Sequence, residues 1–146
     1  MNKEPVIVVG YDGSPTSRAA VDHAARQAGR LGKVYVVHSY GPPADWLGVP
    51  NYQRVLDDHR ARGMATLDAL MMTDDPLLET NFETELLDSP AAEAITKVAE
   101  TRGADEIVIG SRGHGRVRSA LGSVSWEVLH RASVPVVVIP HVDEQQ

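Results

Sequence analysis

Residues 107–125 read IVIGSRGHGRVRSALGSVS. The apolar run Ile107 to Ile109 has no alternating polar residue, so it reads as a strand buried on both faces, the kind found in parallel sheets. The run ends at Gly110. Gly113, Gly115 and Gly122 follow, with Arg112, His114, Arg116 and Arg118 interleaved. Helical spacing resumes after Gly122-Ser123. A strand, a glycine-rich loop and a helix start together turn backbone N–H groups toward an anion. The expectation is a loop that holds the phosphates of a nucleotide, which requires a second loop to hold the rest.

The chain before this stretch supplies one. Val6 to Val9 (VIVV) is another buried β-branched run,. It ends in Gly10-Tyr11-Asp12-Gly13. Ser14 then caps a helix with Pro15 at its first position, where a missing N–H removes no bond. Ala20, Ala24, Ala28 and Leu31 form that helix's apolar side, and Gly32 is read as its stop,. Val34 to Val37 is a second buried strand, running into His38-Ser39-Tyr40. A long irregular loop follows from Gly41 to Pro50. Helical spacing over Tyr52 to Met72 ends at Asp74-Asp75-Pro76. Asn81 to Leu87 alternates Phe82, Thr84 and Leu86 with Glu83 and Glu85, which predicts an edge strand with one wet face,.

Asp88 or Ser89 is expected to cap the next helix, whose inner side is Ala91, Ala94, Ile95, Val98 and Ala99, with Gly103 as its end. Beyond the glycine loop, Val124 to His130 is a last helix with Val124, Val128 and Leu129 inward. Val134 to Ile139 (VPVVVI) is a fifth strand, and residues 141–146 read as a frayed tail,. Strands alternating with helices predict one α/β domain with a parallel sheet covered on both faces. Ligands bind such sheets at the carboxyl ends of the strands, where the strand order reverses.

Composition narrows the function classes. The chain has 146 residues, a net charge of −6 and no cysteine. Its acidic balance argues against a nucleic-acid binder, which needs a basic face. Disulfides and thiolate metal sites are excluded. No apolar run approaches the ~20 residues of a membrane helix, and MNKEPVIVVG is too short in apolar residues for a signal peptide. The expectation is a soluble, cytoplasmic domain. There is no GKS or GKT of a P-loop and no GxSxG elbow. No His/Asp/Glu cluster has metal-ligand spacing, and Pro140-His141 stands where a response-regulator receiver would carry a lysine.

Two loops therefore carry the chemistry: Gly10 to Ser14, and the stretch from Ile109 to Ser125. Where the first and fourth strands are neighbours, these loops face each other. Asp12 would then meet ribose hydroxyls or an adenine amino group, the second loop would take the phosphates, and His38-Ser39-Tyr40 would form a third wall. VGYDGSPTSRAAVDHA, VYVVHSY, DSPAAEAITKVAETRGADEIVIGSRGHG and LGSVSWEVLHRASVPVVVIP resemble, over nearly the whole chain, the universal stress protein family. The resemblance implies a flavodoxin/Rossmann-like three-layer sandwich with a five-stranded parallel sheet of order 3-2-1-4-5. It implies an adenine nucleotide, ATP first, with Mg2+ held largely by the nucleotide and water, and a homodimer through strand 134–139.

The family's ATP signature is Gly, two residues, Gly, nine residues, Gly, then Ser or Thr. Carried over, its glycines are Gly110, Gly113 and Gly122, and its hydroxyl is Ser123. Asp12 matches the aspartate that meets the nucleoside, Ser39 a position lining the adenine, and Ser125 a hydroxyl near the phosphates. Gly10, Tyr11, Ile109, Arg112, His114, Gly115 and Val124 complete the candidate set. Here the second interval, His114 to Leu121, is eight residues rather than nine. One residue displaces a backbone N–H by up to ~3.5 Å, about a hydrogen-bond length.

Plainer roles stand beside these. Gly110, Gly113 and Gly115 are equally read as turn glycines at φ > 0, Asp12 as a helix cap, His38 as a satisfied half-buried histidine, and the arginines as a solvated face. No general base stands near the loop, so the reading is a stress-response binding protein rather than a fast enzyme. Slow ATP hydrolysis or phosphate transfer remains open. The alternative is a dimeric interaction module with a purely structural glycine loop.

Overall fold

The computed structural model describes residues 4–41, 48–73, 81–112 and 121–142. The chain alternates β1 (Val6–Gly10), α1 (Pro15–Ala28), β2 (Lys33–Ser39), α2 (Asn51–Met71), β3 (Asn81–Leu87), α3 (Ala91–Thr101), β4 (Glu106–Gly110), α4 (Ser123–Arg131) and β5 (Val136–Ile139). The strands form one sheet of order β3-β2-β1-β4-β5, parallel at every pairing. This is the three-layer α/β sandwich the sequence predicts.

The period-2 alternation of the strands divides the core. Ile7, Val9, Val34, Val36 and Val108 point into one layer, with Ala20, Val21 and Ala24 of α1 and Leu67 and Leu70 of α2. Val8, Val37, Ile107 and Ile109 point into the other, with Ile95 and Val98 of α3 and Val128 of α4. Because both faces are covered, β1 carries no polar residue, and apart from Tyr35 those of β2 and β4 stand only at the strand ends (Lys33, His38 and Ser39; Glu106), which is why the strand centres read as apolar runs. β3 and β5 are the edges. Glu83 and Glu85 on β3 pair with Lys33 at 3.3 Å and Arg102 at 3.3 Å, charges that blunt an open edge.

Several boundaries differ from the sequence expectation. Ser14 caps α1 as expected, its Oγ accepting from the Ser17 N–H at 3.2 Å. The helix stops at Gly29 (φ +63°) rather than at Gly32, and Leu31 is 72% exposed. The left-handed turn at Gly29 removes Leu31 from the helical face that its spacing suggests. Neither Asp88 nor Ser89 caps α3; Pro90 occupies that position with no side-chain bond. Leu129 and Val124, expected inward on α4, are 41% and 39% exposed. β5 begins only at Val136, because Pro135 has no N–H for the ladder; its carbonyl still accepts from Ile107 at 2.9 Å,.

Candidate functional site

β1 pairs with β4, Val9 opposite Val108, so the loops after Gly10 and Gly110 leave the sheet side by side. The chain winds outward from this pair in both directions, to β2 and β3 on one side and to β5 on the other. It is therefore the point where the strand order reverses and where such sheets take ligands.

The first loop is built on local bonds. Tyr11 extends the β1 ladder, its N–H donating to the Val37 carbonyl at 2.9 Å. Its own carbonyl meets His38 Nδ1 at 2.7 Å, so His38 is the satisfied half-buried residue of the plainer reading. Burial raises the Tyr11 phenol's pKa, opposed by the nearby Arg18 charge, so the hydroxyl keeps its proton at neutral pH. Asp12 is exposed, and its Oδ1 accepts from the Ser14 N–H at 2.9 Å. This Asx turn orients the carboxylate just outside the Ser14 cap. Gly13, at φ +86°, makes the reversal that a side chain would strain,.

The second loop is held from several sides. Ser111 donates its N–H to the Ile139 carbonyl at 2.7 Å, and its carbonyl accepts from the Gly122 N–H at 2.8 Å. Ser125, buried in the first turn of α4, directs its Oγ to the Gly110 carbonyl at 2.6 Å. Its hydroxyl is thereby spent on shaping the loop. Gly110 is not a turn glycine, since its φ is not positive. A Cβ there would stand 2.7 Å from Thr16 Cγ2, so its smallness lets α1 close on β4.

α4 starts at Ser123 with Gly122 as its cap and no capping side chain, which leaves first-turn N–H groups to another acceptor. Ser123 and Val124 are exposed there. Next to this start lies Arg112: a Cβ on Gly122 would be 3.4 Å from Arg112 Cα. Arg112 is only 5% exposed. Among the described residues its Nε, Nη1 and Nη2 have no hydrogen-bond partner, an expensive state for a buried cation.

The structure thus brings Gly10, Tyr11, Asp12, Ile109, Gly110, Arg112, Gly122, Ser123, Val124 and Ser125 to one end of the sheet. Ser39 shares that end but turns away, its hydroxyl donating to the Ser89 carbonyl. Gly113, His114 and Gly115 lie outside the described residues. Thr16 and Ile139 went unnoticed in the sequence, since nothing local marks a helical threonine or a strand carbonyl as a loop support. A separate groove of about 510 Å³ opens between α2 and β3, lined in part by Tyr40, Arg60, Leu67 and Asp88. It faces the sheet's edge rather than the strand reversal.

Against this geometry, the model of the universal stress protein family matches residues 5–140. The chain belongs to that family. A family member of Thermus aquaticus is 35% identical over 136 residues, 91% of this chain and 96% of its own length. A Mycobacterium tuberculosis member is 37% identical over 145 residues, 94% of this chain but 48% of its own. The chain thus spans about half of that relative. Among solved structures, universal stress protein UspA from Lactobacillus plantarum matches at TM-score 0.80 and 25% identity, covering 95% and 99% of the two chains. Two further fold matches are a universal stress protein in complex with cAMP (TM-score 0.62, 23% identity, 97% and 100% covered) and an Arabidopsis thaliana family protein with AMP bound (0.67, 16%, 97% and 94%). Among the described residues, no helix is long and apolar enough to cross a membrane.

Proposed function

We propose that this protein binds an adenine nucleotide between the β1 and β4 loops, ATP being the first candidate, in a sensing or protective role under stress. Arg112 carries the reading: a buried guanidinium whose three nitrogens have no partner among the described residues, beside a helix start with no capping side chain, is completed by a phosphate,. The AMP and cAMP named for two fold neighbours agree with that chemistry. Asp12 stands across from it to accept from ribose or adenine donors. No group of three metal-ligating side chains occurs among the described residues, so Mg2+ would arrive held by the nucleotide's own phosphates.

The deciding experiment is to purify the protein without added nucleotide, denature it, and analyse what is released, followed by titration with ATP, ADP and AMP by calorimetry. Absence of released nucleotide together with no heat at millimolar concentrations of all three would sink the reading and leave the interaction module. Asp12→Asn keeps an Oδ1 for the Ser14 N–H and removes only the charge. It should weaken binding about 10-fold, the worth of one hydrogen bond to a charged group, with a smaller fall in unfolding temperature than Asp12→Ala. Asp12→Ala should lower both.

We further propose that the protein is a homodimer through β5, whether or not it binds a nucleotide. Val136–Ile139 has no charged residue, unlike the opposite edge, and α4 beside it exposes Trp126 (56%) and Leu129 (41%). Because the Pro135 and Ile139 carbonyls point at β4, the alternation turns the Val138 N–H to the open edge. Val138→Pro removes that donor and spares the β4 ladder. Sedimentation should then change from dimer to monomer at micromolar protein; a variant that stays dimeric places the interface elsewhere.

A further inference from the structure

Past β5, the chain turns back across the carboxyl end of the sheet. The sequence reads this segment as frayed, yet two of its residues are anchored. The Val142 N–H donates to Thr16 Oγ1 at 2.9 Å, and His141 Nδ1 lies 3.4 Å from the same oxygen. Thr16 is fully buried in the first turn of α1. Its methyl, Cγ2, occupies the space where a Cβ on Gly110 would sit, 2.7 Å away. One side chain therefore grips the terminal segment with its hydroxyl and braces Gly110 with its methyl. A helical threonine has few χ1 rotamers, so it cannot release one contact and keep the other in place.

Gly110 is followed by Ser111, whose N–H is bonded to the Ile139 carbonyl, two residues before His141, and then by Arg112. The support for the anion loop and the anchor of the terminal segment are thus one connected structure. We infer that Thr16 is a positioning residue for the nucleotide site, held by the segment His141–Val142, so that docking of this segment and ligand binding strengthen each other. The inference rests on the nucleotide reading above. Coupling of this kind is reciprocal: whatever the segment adds to ligand affinity, the ligand adds to the segment's docking.

Three proteins test it: Thr16→Val, which keeps the methyl and removes the acceptor; a chain ending at Pro140; and the two changes combined. Calorimetry with AMP and ATP should give about 5-fold weaker binding for each single change, the worth of one hydrogen bond. The combined protein should be no weaker than either, since both remove the same contact. Nucleotide should slow exchange of the Val142 amide in the wild type and leave it unchanged in Thr16→Val. Wild-type affinity in both single variants overturns the inference, as does full additivity in the combined protein. Failure of the wild type to bind any nucleotide is a failure of the functional reading instead. The positioning role is then decided without ligand, by amide exchange at Ser111 and Gly122. These amides should exchange faster in Thr16→Val and in the shortened chain while the β1 amides do not; unchanged exchange at both overturns it. Should Thr16→Val not fold, the shortened chain alone decides between these outcomes.

Discussion

Arg112→Met is expected to stabilise the ligand-free protein and at the same time remove most of its nucleotide affinity. Methionine fills the volume along the arginine's stem with an apolar, adaptable chain. It removes a cation that is 5% exposed and, among the described residues, has no partner on any guanidinium nitrogen. Replacing buried charges by packed apolar groups gains about 1–4 kcal/mol where they are already paired, and among the described residues no pairing offsets the desolvation of Arg112. The unfolding temperature without ligand should therefore rise by about 3–10 °C. Affinity should fall at least about 30-fold, since truncating one partner of a buried charged pair costs about 2–5 kcal/mol. Arg112→Lys keeps the charge without the planar fork and should lie between the two. Scanning calorimetry and titration on the same samples check both halves. A purely structural arginine would give the opposite sign: lower stability and unchanged binding.

That opposition of signs is not visible in the sequence, and the reason bears on how much of the site was. The fold is legible because each central strand is covered on both faces. Runs such as Val6–Val9 and Ile107–Ile109 admit no other placement, and the turns between them carry their own signals at Ser14-Pro15 and Gly103. The candidate site's location follows from the same topology, since two glycine-ended strands open side by side. What individual residues do there depends on contacts far apart in the chain. Ser125 resembles a phosphate-binding hydroxyl in sequence, yet its Oγ is directed to the Gly110 carbonyl, 15 residues away. Ser39 is turned to Ser89, and Thr16 meets Val142 across 126 residues. Helical faces fail for a different reason. Periodicity says that Leu129 shares a side with Val128's neighbours, but only Ser125 and Val128 of α4 are buried. A nine-residue helix over a sheet edge covers little more than one turn of contact.

Glycines show the same limit most sharply, and Gly32→Ala is the prediction that exposes it. The sequence assigns Gly32 to the end of α1, where a left-handed φ would be needed. Gly29 performs that task at φ +63°, with nothing within 4 Å of a Cβ added there. Gly32 does not have a positive φ. Its requirement is space: a Cβ would stand 2.5 Å from the Ala28 carbonyl oxygen, 2.8 Å from Ala28 Cα and 2.8 Å from the Pro5 carbonyl oxygen. Both oxygens are already in use. Ala28 accepts from the Gly32 N–H at 3.0 Å, and Pro5 accepts from the Lys33 N–H at 2.8 Å, at the start of β2. No rotamer change relieves these clashes, because every atom met is backbone. The chain must shift where α1, β1 and β2 converge, and overpacking costs about 1–3 kcal/mol, more where only backbone can give way. Gly29→Ala forces an alanine into φ +63°, ψ −158° in open space, a region that is essentially glycine's alone, at about 1–3 kcal/mol. Gly10→Ala meets side-chain atoms alone, Ile95 Cδ1 at 2.6 Å and Ile109 Cγ2 and Ile95 Cγ1 at 3.4 Å; the closest is the end of a chain that can rotate away, so it should cost less than Gly32→Ala. Urea denaturation of the three variants should place Gly32→Ala lowest in midpoint. If Gly29→Ala proves the more damaging, chirality at the helix end outweighs the close approach of α1 to the sheet.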